Sequence, residues 1–471
     1  MLMGMAIGRR RFLGAAAAAP FVRAASAARR RPNVVVFMTD DHGAWATGAY
    51  GCGSIRTPHI DRLAAEGARF TQAYAATPVC SPSRMTYLTG KLPSTHGVQD
   101  WLIPRDSFGG ESRRWLDGHR TWSEVMANSG YTLGMCGKWH MGEDEKAQAG
   151  FSWWATVPGG GGPYQDCQFV HNGVTRRIPG FKTDVHTDFA LEFLDRHHKE
   201  PFGLLVPFYA PHTPFDFQPE RDRAPYEGAE LPCFPGTPPH PWQNKGLARH
   251  HGNRDSMRAY AALVSGVDYN VGRVIERLEK LKARENTLVV FTADQGWNAG
   301  HHGVWGKGNG TVPFNMYEES IRTPLIWNHP GGIRRGVTVD AMVSSYDFFD
   351  TLLDCVGIRP PEDARRMGRS YAGFLRGGRP AWRDRLYFEY AYVRAVRTAN
   401  LKYVERADGY PSELFDIEAD PGETRNVIGE AAYAGRLDAL RADLAEHFRK
   451  AGAPPPAEWR KTTRQTLSWE Q

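Results

Sequence analysis

The sequence predicts a doubly wound α/β protein, a mostly parallel sheet flanked by helices, with a smaller C-terminal α/β subdomain. Three observations point there. Four short apolar runs are too continuous for half-exposed strands, helical patterns separate them, and each run ends in a cluster of polar residues. The runs are "NVVVFM" (33–38), "YTLGMC" (131–136), "FGLLVPFY" (202–209) and "NTLVVFTA" (286–293).

Between them, "TPHIDRLAAEGARF" reads as a helix after the first strand. Before the last strand, Leu263, Val267, Val271, Val274, Leu278 and Leu281 recur at helical spacing and predict a long amphipathic helix. The segments 99–121, 152–186 and 212–256 show no strand periodicity and read as long loops around the mouth of a site. Near "RDRLYFEY" a second unit begins, with a strand at "LKYVE", a strand and turn in "ELFDIEADPGETRN" and a helix at "YAGRLDALRADLAEHFRK". The expected division is a catalytic domain at 33–380 and a subdomain at 381–471, which would cover the far side of the sheet and help to shape the pocket.

Open α/β sheets bind ligands beyond the carboxyl ends of their strands. Asp40 and Asp41 follow the first run, Lys138 and His140 the second, His212 the third, and Asp294, Gln295, His302 and Lys307 the fourth. Taken singly, each has a bland explanation: an Asp pair caps a helix, a Lys or His sits in a solvated loop, and Asp-Gln-Gly is a turn. Together they deliver one polar edge. Asp40, Asp41, Asp294 and the Gln295 amide oxygen form an oxygen-only donor set, which selects a hard divalent cation, calcium in preference to magnesium for an irregular cage. Arg84, Lys138 and Lys307 around such a metal call for an anion among them, a tetrahedral sulfate or phosphate group. His140 and His212 then suit proton transfer.

Cys80 does not belong beside a hard oxygen cage as a thiolate. Its context, "CSPSR" followed by "YLTGK" at 87–91, closely resembles the signature of the sulfatase family, in the alkaline phosphatase superfamily. The resemblance runs from "NVVVFMTDDHG" to the C-terminal "LKYVERADGYPSELFDIEADPGETRN". It implies that Cys80 is oxidised to formylglycine by a formylglycine-generating enzyme, and that Asp40, Asp41, Asp294, Gln295 and residue 80 hold one calcium ion. Arg84 would steady the modified residue, and Lys138, His140, His212 and Lys307 would bind sulfate and move protons. A hydrated aldehyde has two hydroxyls, one to attack sulfur and a second, deprotonated by His140, to expel sulfate; serine or cysteine lacks the second. His212, with Lys307, would serve the leaving oxygen. Gln295 departs from the family's more frequent Asn by one methylene, which implies an altered loop path and a retained metal.

Other features weigh less. The histidine pairs at 197/198, 250/251 and 301/302 suggest zinc but fit solvated residues better, with His302 set to line the pocket. Asn309 begins a glycosylation sequon of little meaning in an exported bacterial protein, and Glu318 and Arg322 read as supporting residues. Gln99, Asp100, Trp101, Arg105, Arg113, Arg114, Trp115, Trp153, Trp154, Tyr164 and His171 on the long loops suit a sulfated carbohydrate, or pack the loops together. "PGGGGP" (158–163) reads as a lid or a linker.

The N-terminus, with Arg9, Arg10 and Arg11 ahead of an Ala-rich stretch, resembles a twin-arginine export signal over 1–27. It implies a periplasmic or secreted protein without a stable membrane anchor. Losing Arg9, Arg10, Arg11 and Arg23 would lower the formal charge from +6 to +2, which removes the support for a nucleic-acid partner. Six scattered cysteines allow one or two disulfides that spacing alone cannot pair. The reading is therefore a sulfuric ester hydrolase acting on a sulfated small molecule or glycan. Its competitors are a phosphate or phosphonate ester hydrolase on the same fold and a non-catalytic sulfated-glycan-binding protein.

Overall fold

The computed structural model describes Met1 and residues 31–407, 409–456, 458 and 465. The export signal expected at 1–27 lies, Met1 excepted, outside the described residues. A ten-stranded sheet forms the centre, in the order β10-β2-β9-β8-β1-β7-β3-β4-β5-β6. In chain order these are β1 (Asn33–Thr39), β2 (Ala68–Phe70), β3 (Thr132–Gly137), β4 (Trp153–Thr156), β5 (Gln168–His171), β6 (Val174–Arg177), β7 (Phe202–Pro207), β8 (Thr287–Ala293), β9 (Leu325–Asn328) and β10 (Val337–Val339). The four expected strands are the contiguous centre β8-β1-β7-β3, all parallel.

Burial explains their unbroken hydrophobicity. Val34, Val36 and Met38 of β1 enter one packing layer, while Val35 and Phe37 enter the other; Leu288 and Val290 against Val289 and Phe291 divide likewise in β8. One layer receives α1 (Pro58–Ala65), α4 (Lys182–His197) and the long α5 (Arg254–Lys280). The opposite layer receives α2 (Cys80–Thr89), α3 (Trp122–Asn128) and α6 (Phe348–Cys355).

The segment 152–186 is not a loop throughout. It supplies β4, which continues the parallel sheet, then β5 and β6 antiparallel, and the start of α4. Trp153 and Trp154 are core residues: Trp153 packs 6.2 Å from Phe193 and Trp154 4.9 Å from Trp139, ring centre to ring centre. Consecutive aromatics that bury on opposite faces of a two-sided strand leave no alternation to read. Tyr164 is buried as well, and the His171 ring lies tilted against Phe189 at 4.4 Å.

The C-terminal region is a meander of β11 (Arg385–Tyr390), β12 (Val393–Thr398), β13 (Leu401–Arg406) and β14 (Glu413–Asp416), antiparallel in sequential order. Leu437, Leu440, Leu444 and Phe448 of α7 (Ala434–Lys450) pack on it at helical spacing. Its core includes Tyr74, Ala76, Val79 and Leu92 but no residue of β1, β3, β7 or β8. Through Val79 and Leu92 it braces the approach to α2. The Glu389 N–H bonds the Ala76 carbonyl at 3.0 Å, and the Thr77 hydroxyl bonds the Glu389 carbonyl at 2.8 Å. Among the described residues no helix is long and apolar enough to cross a membrane.

Candidate active site

The carboxyl ends of β1, β3, β7 and β8 bring their polar residues to one place. Asp40 and Asp41 leave β1, and the Asp40 N–H bonds the Ala210 carbonyl beyond β7 at 3.3 Å. The Asp294 N–H returns to the Thr39 carbonyl at 2.9 Å, and the Lys138 N–H to the Pro207 carbonyl at 2.7 Å. Neighbouring strand ends are thus stitched together just where the side chains diverge. Asp41 and His140 hold left-handed backbone, φ 64° and 61°, a conformation that β-carbons disfavour and that functional sites retain. Tyr260 of α5 steadies Asp41: its hydroxyl donates to the Asp41 carbonyl at 2.8 Å and accepts the Gly43 N–H at 3.3 Å.

Helix α2 crosses this cluster with Cys80 at its first position, and all ten of its residues are buried. Each polar residue of the Cys-Ser-Pro-Ser-Arg string ties a different segment. Ser81 Oγ accepts the Leu102 N–H at 3.0 Å, and the Ser83 hydroxyl donates to the Asp294 carbonyl. Arg84 spans the site, with its guanidinium 2.7 Å from Asp294 Oδ2, 3.3 Å from Asp40 Oδ2 and 2.6 Å from the Lys138 carbonyl. Gly90, at φ 69°, ends the helix with its N–H on the Thr86 carbonyl.

Buried cations and carboxylates interlock around residue 80. Lys138 Nζ lies 2.5 Å from Asp40 Oδ2; Lys307 Nζ lies 2.6 Å from Asp41 Oδ1 and 2.8 Å from Cys80 Sγ. Burial opposes ionisation of Asp40, but Lys138, His212, Lys307 and Arg84 outweigh it and hold its carboxyl well below the usual range. Burial and the Asp40 charge instead hold Asp294 well above that range. The Cys80 thiol, pushed up by burial and Asp40, is pulled down further by Lys138, Lys307 and His212, to about 6. A cavity of 260 Å³ opens beside it, lined by Cys80, Lys138, His140, His212, Lys307 and Trp101, with Gly160 and Asn309 on its walls.

Both proposed proton carriers are oriented by backbone carbonyls. His140 bonds the Leu102 carbonyl through Nε2 at 2.7 Å, which leaves buried Nδ1 without a partner. Burial and Lys138 hold its imidazole well below the ordinary value, hence neutral. His212, a quarter exposed, bonds the Thr213 carbonyl through Nδ1, and its Nε2 stands 3.5 Å from Asp41 Oδ2.

The donor set fits a hard cation. Ligand atoms of Asp40, Asp41, Cys80 and His212 all lie within 4.8 Å of one another. Asp41 Oδ2 and Gln295 Oε1 are buried with no hydrogen-bond partner, although Lys307 and His212 stand near the Asp41 carboxylate. The Gln295 amide nitrogen donates to Asp40 and Asp41 at 3.0 and 2.7 Å, so rotating that amide would turn its oxygen toward them. Asp294 keeps its carboxylate on Arg84 and on the Gln295 N–H.

All ten expected site residues gather here. His302 does not; it lines a separate cavity with His240, Tyr317, Glu319 and Glu423. Asn309, read as a sequon, lines the catalytic cavity. Gly160 was unassigned within its glycine run, yet a β-carbon there would fall 2.4 Å from the His140 ring. Lys182 holds the same run through the Gly161 and Gly162 carbonyls, at 3.2 and 2.8 Å. Tyr260 carried no signal beyond its place in a helical pattern.

The strand ends thus gather a buried cysteine, three buried cations and a group of carboxylates beside one cavity on a mostly parallel sheet. The chain matches the Sulfatase family over residues 32–358 and the N-sulphoglucosamine sulphohydrolase C-terminal family over 300–450, and it belongs to the sulfatase family. It is 29% identical over 501 residues to an N-acetylglucosamine-6-O-sulfatase of Bacteroides thetaiotaomicron, covering 88% of this chain and 86% of that one. It is 27% identical to an ulvan-active sulfatase of Formosa agariphila, covering 90% and 82%. Among solved structures, a complex with D-glucosamine-2-N,6-O-disulfate superposes with TM-score 0.77 at 27% identity, over 91% of this chain and 99% of that one. A phosphonate monoester hydrolase of Agrobacterium radiobacter, at 22% identity and TM-score 0.68 over 89% and 96%, shares the fold. The chain is a sulfatase.

Proposed function

We propose that this sulfatase is exported and releases sulfate from a sulfated carbohydrate, using formylglycine made from Cys80 and one calcium ion. The observation that carries the reading is the buried oxygen cage of Asp40, Asp41 and Gln295 against Cys80, ringed by Arg84, Lys138 and Lys307 and open to one cavity. The names of the sugar-sulfate relatives support the substrate class. The catalytic unit is taken as 33–380 and the C-terminal subdomain as 381–471.

Asp40, Asp41, Asp294 and Gln295 would hold the calcium, which would polarise the nucleophilic oxygen and the sulfate oxygens. A hydrated aldehyde at position 80 would supply the nucleophile and the means of its own release. The remaining work falls to side chains of this chain. Lys138 and Lys307 face the cavity beside residue 80 and stabilise charge that develops on the sulfuryl oxygens. Arg84 fixes Asp40 and Asp294 in place. His140, neutral and with Nδ1 unpartnered, accepts a proton at that atom; His212, at the cavity mouth, serves the leaving oxygen through Nε2. A bound divalent ion would add positive charge beside Arg84, Lys138 and Lys307 and draw in an anionic ester.

The test is the mass of the tryptic peptide 70–84 from protein made in a host with the modifying activity, together with sulfate release from 6-O-sulfated N-acetylglucosamine. Aldehyde or hydrate at residue 80 and sulfate turnover are expected. An unmodified thiol in fully active protein would overturn the nucleophile. Faster turnover of p-nitrophenyl phosphate or phosphonate than of the matching sulfate would overturn the ester class.

A further inference from the structure

Cys52 and Cys233 stand apart from the catalytic machinery and meet across the fold. Cys52 lies on the loop after β1, and Cys233 on the long segment between β7 and α5. Ser54 Oγ is 3.5 Å from Cys52 Sγ and 3.0 Å from Cys233 Sγ, although Ser54 and Cys233 are 179 residues apart in sequence. Ser54 thus bridges the two thiols. Their surroundings are apolar: Cys52 packs with Tyr226, Phe234, Tyr260 and Trp297, and Cys233 lies against the same group. The other cysteines have different neighbours. Cys136 is buried among Trp153 and Phe193 in the layer of α4, Cys167 donates to the Pro163 carbonyl at 2.7 Å, Cys80 is in the site, and Cys355 lies in the opposite layer with α6.

We propose that Cys52 and Cys233 are a modification site, oxidised to an intramolecular disulfide by an external disulfide of the thiol-exchange class. One thiolate attacks the external disulfide and forms a mixed disulfide, expelling one thiol. The partner thiolate then attacks the protein sulfur of that mixed disulfide and expels the second. Two protein thiols lose two protons and two electrons, and the external disulfide becomes two thiols. The neighbouring Cys233 and Ser54 lower the Cys52 thiol to about 6 while Cys52 raises that of Cys233, so the pair's thiolate near neutral pH is on Cys52, and Cys233 gives up its proton as it reacts. Half-buried Cys233 gives an external reagent access to the pair.

The crosslink would act on the site through packing. Phe234, next to Cys233, packs edge-on against Trp45 at 5.1 Å and Tyr260 at 6.0 Å, and Tyr260 holds the Asp41 carbonyl. Joining the segments would pin the cluster that anchors the acid pair. The idea rests on the export reading only for where the oxidant is met, and the test separates the two.

The full-length, calcium-supplemented protein is equilibrated with glutathione disulfide, alkylated and digested without reduction. The tryptic peptides that contain Cys52 and Cys233 are expected as one linked species about 2 Da lighter than their sum, with Cys136, Cys167 and Cys355 alkylated. Oxidation should raise the melting midpoint by about 5 °C and slow unfolding severalfold. Dithiothreitol should reverse both effects, and Cys233→Ser, which keeps a hydrogen-bonding group, should show neither. Separate alkylation of both cysteines at every glutathione ratio, linkage to another cysteine, or a stable glutathione adduct on Cys233 would overturn the pair. Linkage in vitro with free thiols in protein alkylated directly from its cell compartment upholds the pair and overturns the export reading.

Discussion

Two of the groups of buried charge in this molecule are built to different rules. At the junction with the C-terminal sheet, Glu318 and Glu423 meet Arg397 and Lys402. Glu318 lies 3.4 Å from Arg397 and 3.2 Å from Lys402 and accepts the Tyr74 hydroxyl at 3.0 Å. Glu423 pairs with Lys402 through Oε1 and takes the Glu318 N–H on Oε2 at 2.7 Å. Each carboxylate there has both a cation and a neutral donor. At the strand ends Asp41 Oδ2, Gln295 Oε1 and His140 Nδ1, from three different strand ends, are buried without hydrogen-bond partners; among the four charged side chains of the junction only Glu423 Oε1 is, and Lys402 pairs with it. Ion pairing alone therefore does not mark a site. Several open lone pairs gathered beside one buried cysteine do, because an unsatisfied buried polar atom costs about 1–3 kcal/mol and persists where it has work to do.

The sharpest break in that comparison is Cys80→Ala. Sulfate release is expected to fall about 10⁴-fold or more, the scale of losing a nucleophile, while the melting midpoint stays near wild type. Retained turnover would show that the open cluster is not the reaction centre. Next comes Gln295→Leu, which keeps bulk and removes Oε1. Calcium affinity, read by titration of chelator-stripped protein, should weaken about 10–100-fold, and excess calcium should restore part of the activity. Unchanged affinity would remove Gln295 from the cage.

The closed cluster should respond in the opposite sense. Lys402→Met leaves Glu318 with Arg397 alone and Glu423 without its cation, and should lower unfolding free energy by about 3–5 kcal/mol in urea. kcat and KM of the folded fraction should change less than about twofold, and a large loss of kcat at unchanged stability would blur the distinction between the clusters. Gly160→Ala tests how closely the open site is fitted. Its φ of 66° and the His140 ring both oppose a β-carbon, so kcat/KM should fall about tenfold through misplaced His140.

An effect that vanishes at neutral pH concerns His186, buried in the layer of α4, neither of whose ring nitrogens has a hydrogen-bond partner. Burial lowers its pKa to about 3. The folded ring stays neutral while the unfolded one takes a proton below about 6.5. Its contribution to stability is therefore intact above that pH and lost as pH falls toward 3, with a slope of at most about 1.4 kcal/mol per pH unit. His186→Phe should flatten urea midpoints across that window; an unchanged slope would mean that His186 is not the titrating group.

Much of this was legible without coordinates, for particular reasons. β1, β3, β7 and β8 are buried on both faces, so their sequences are almost pure hydrophobic runs, and their ends announce themselves where charge resumes. β4 to β6 were hidden because Trp153-Trp154 buries on both sides without alternation, and because β6 is exposed along its whole length. The ten site residues were legible because strand ends and one short motif carry them. Tyr260, Gly160 and the pairing of Cys52 with Cys233 were not, since each depends on what another segment places against it.

The sequence by itself determined the fold class, the family and which polar side chains lie at the strand ends, because hydrophobic continuity and residue type are local properties. Only the tertiary structure decided which lone pairs stay open, that His140 is neutral with Nδ1 unpartnered, and that His302 serves another cavity. Those outcomes depend on burial and distance between segments hundreds of residues apart, and no window of sequence contains either quantity.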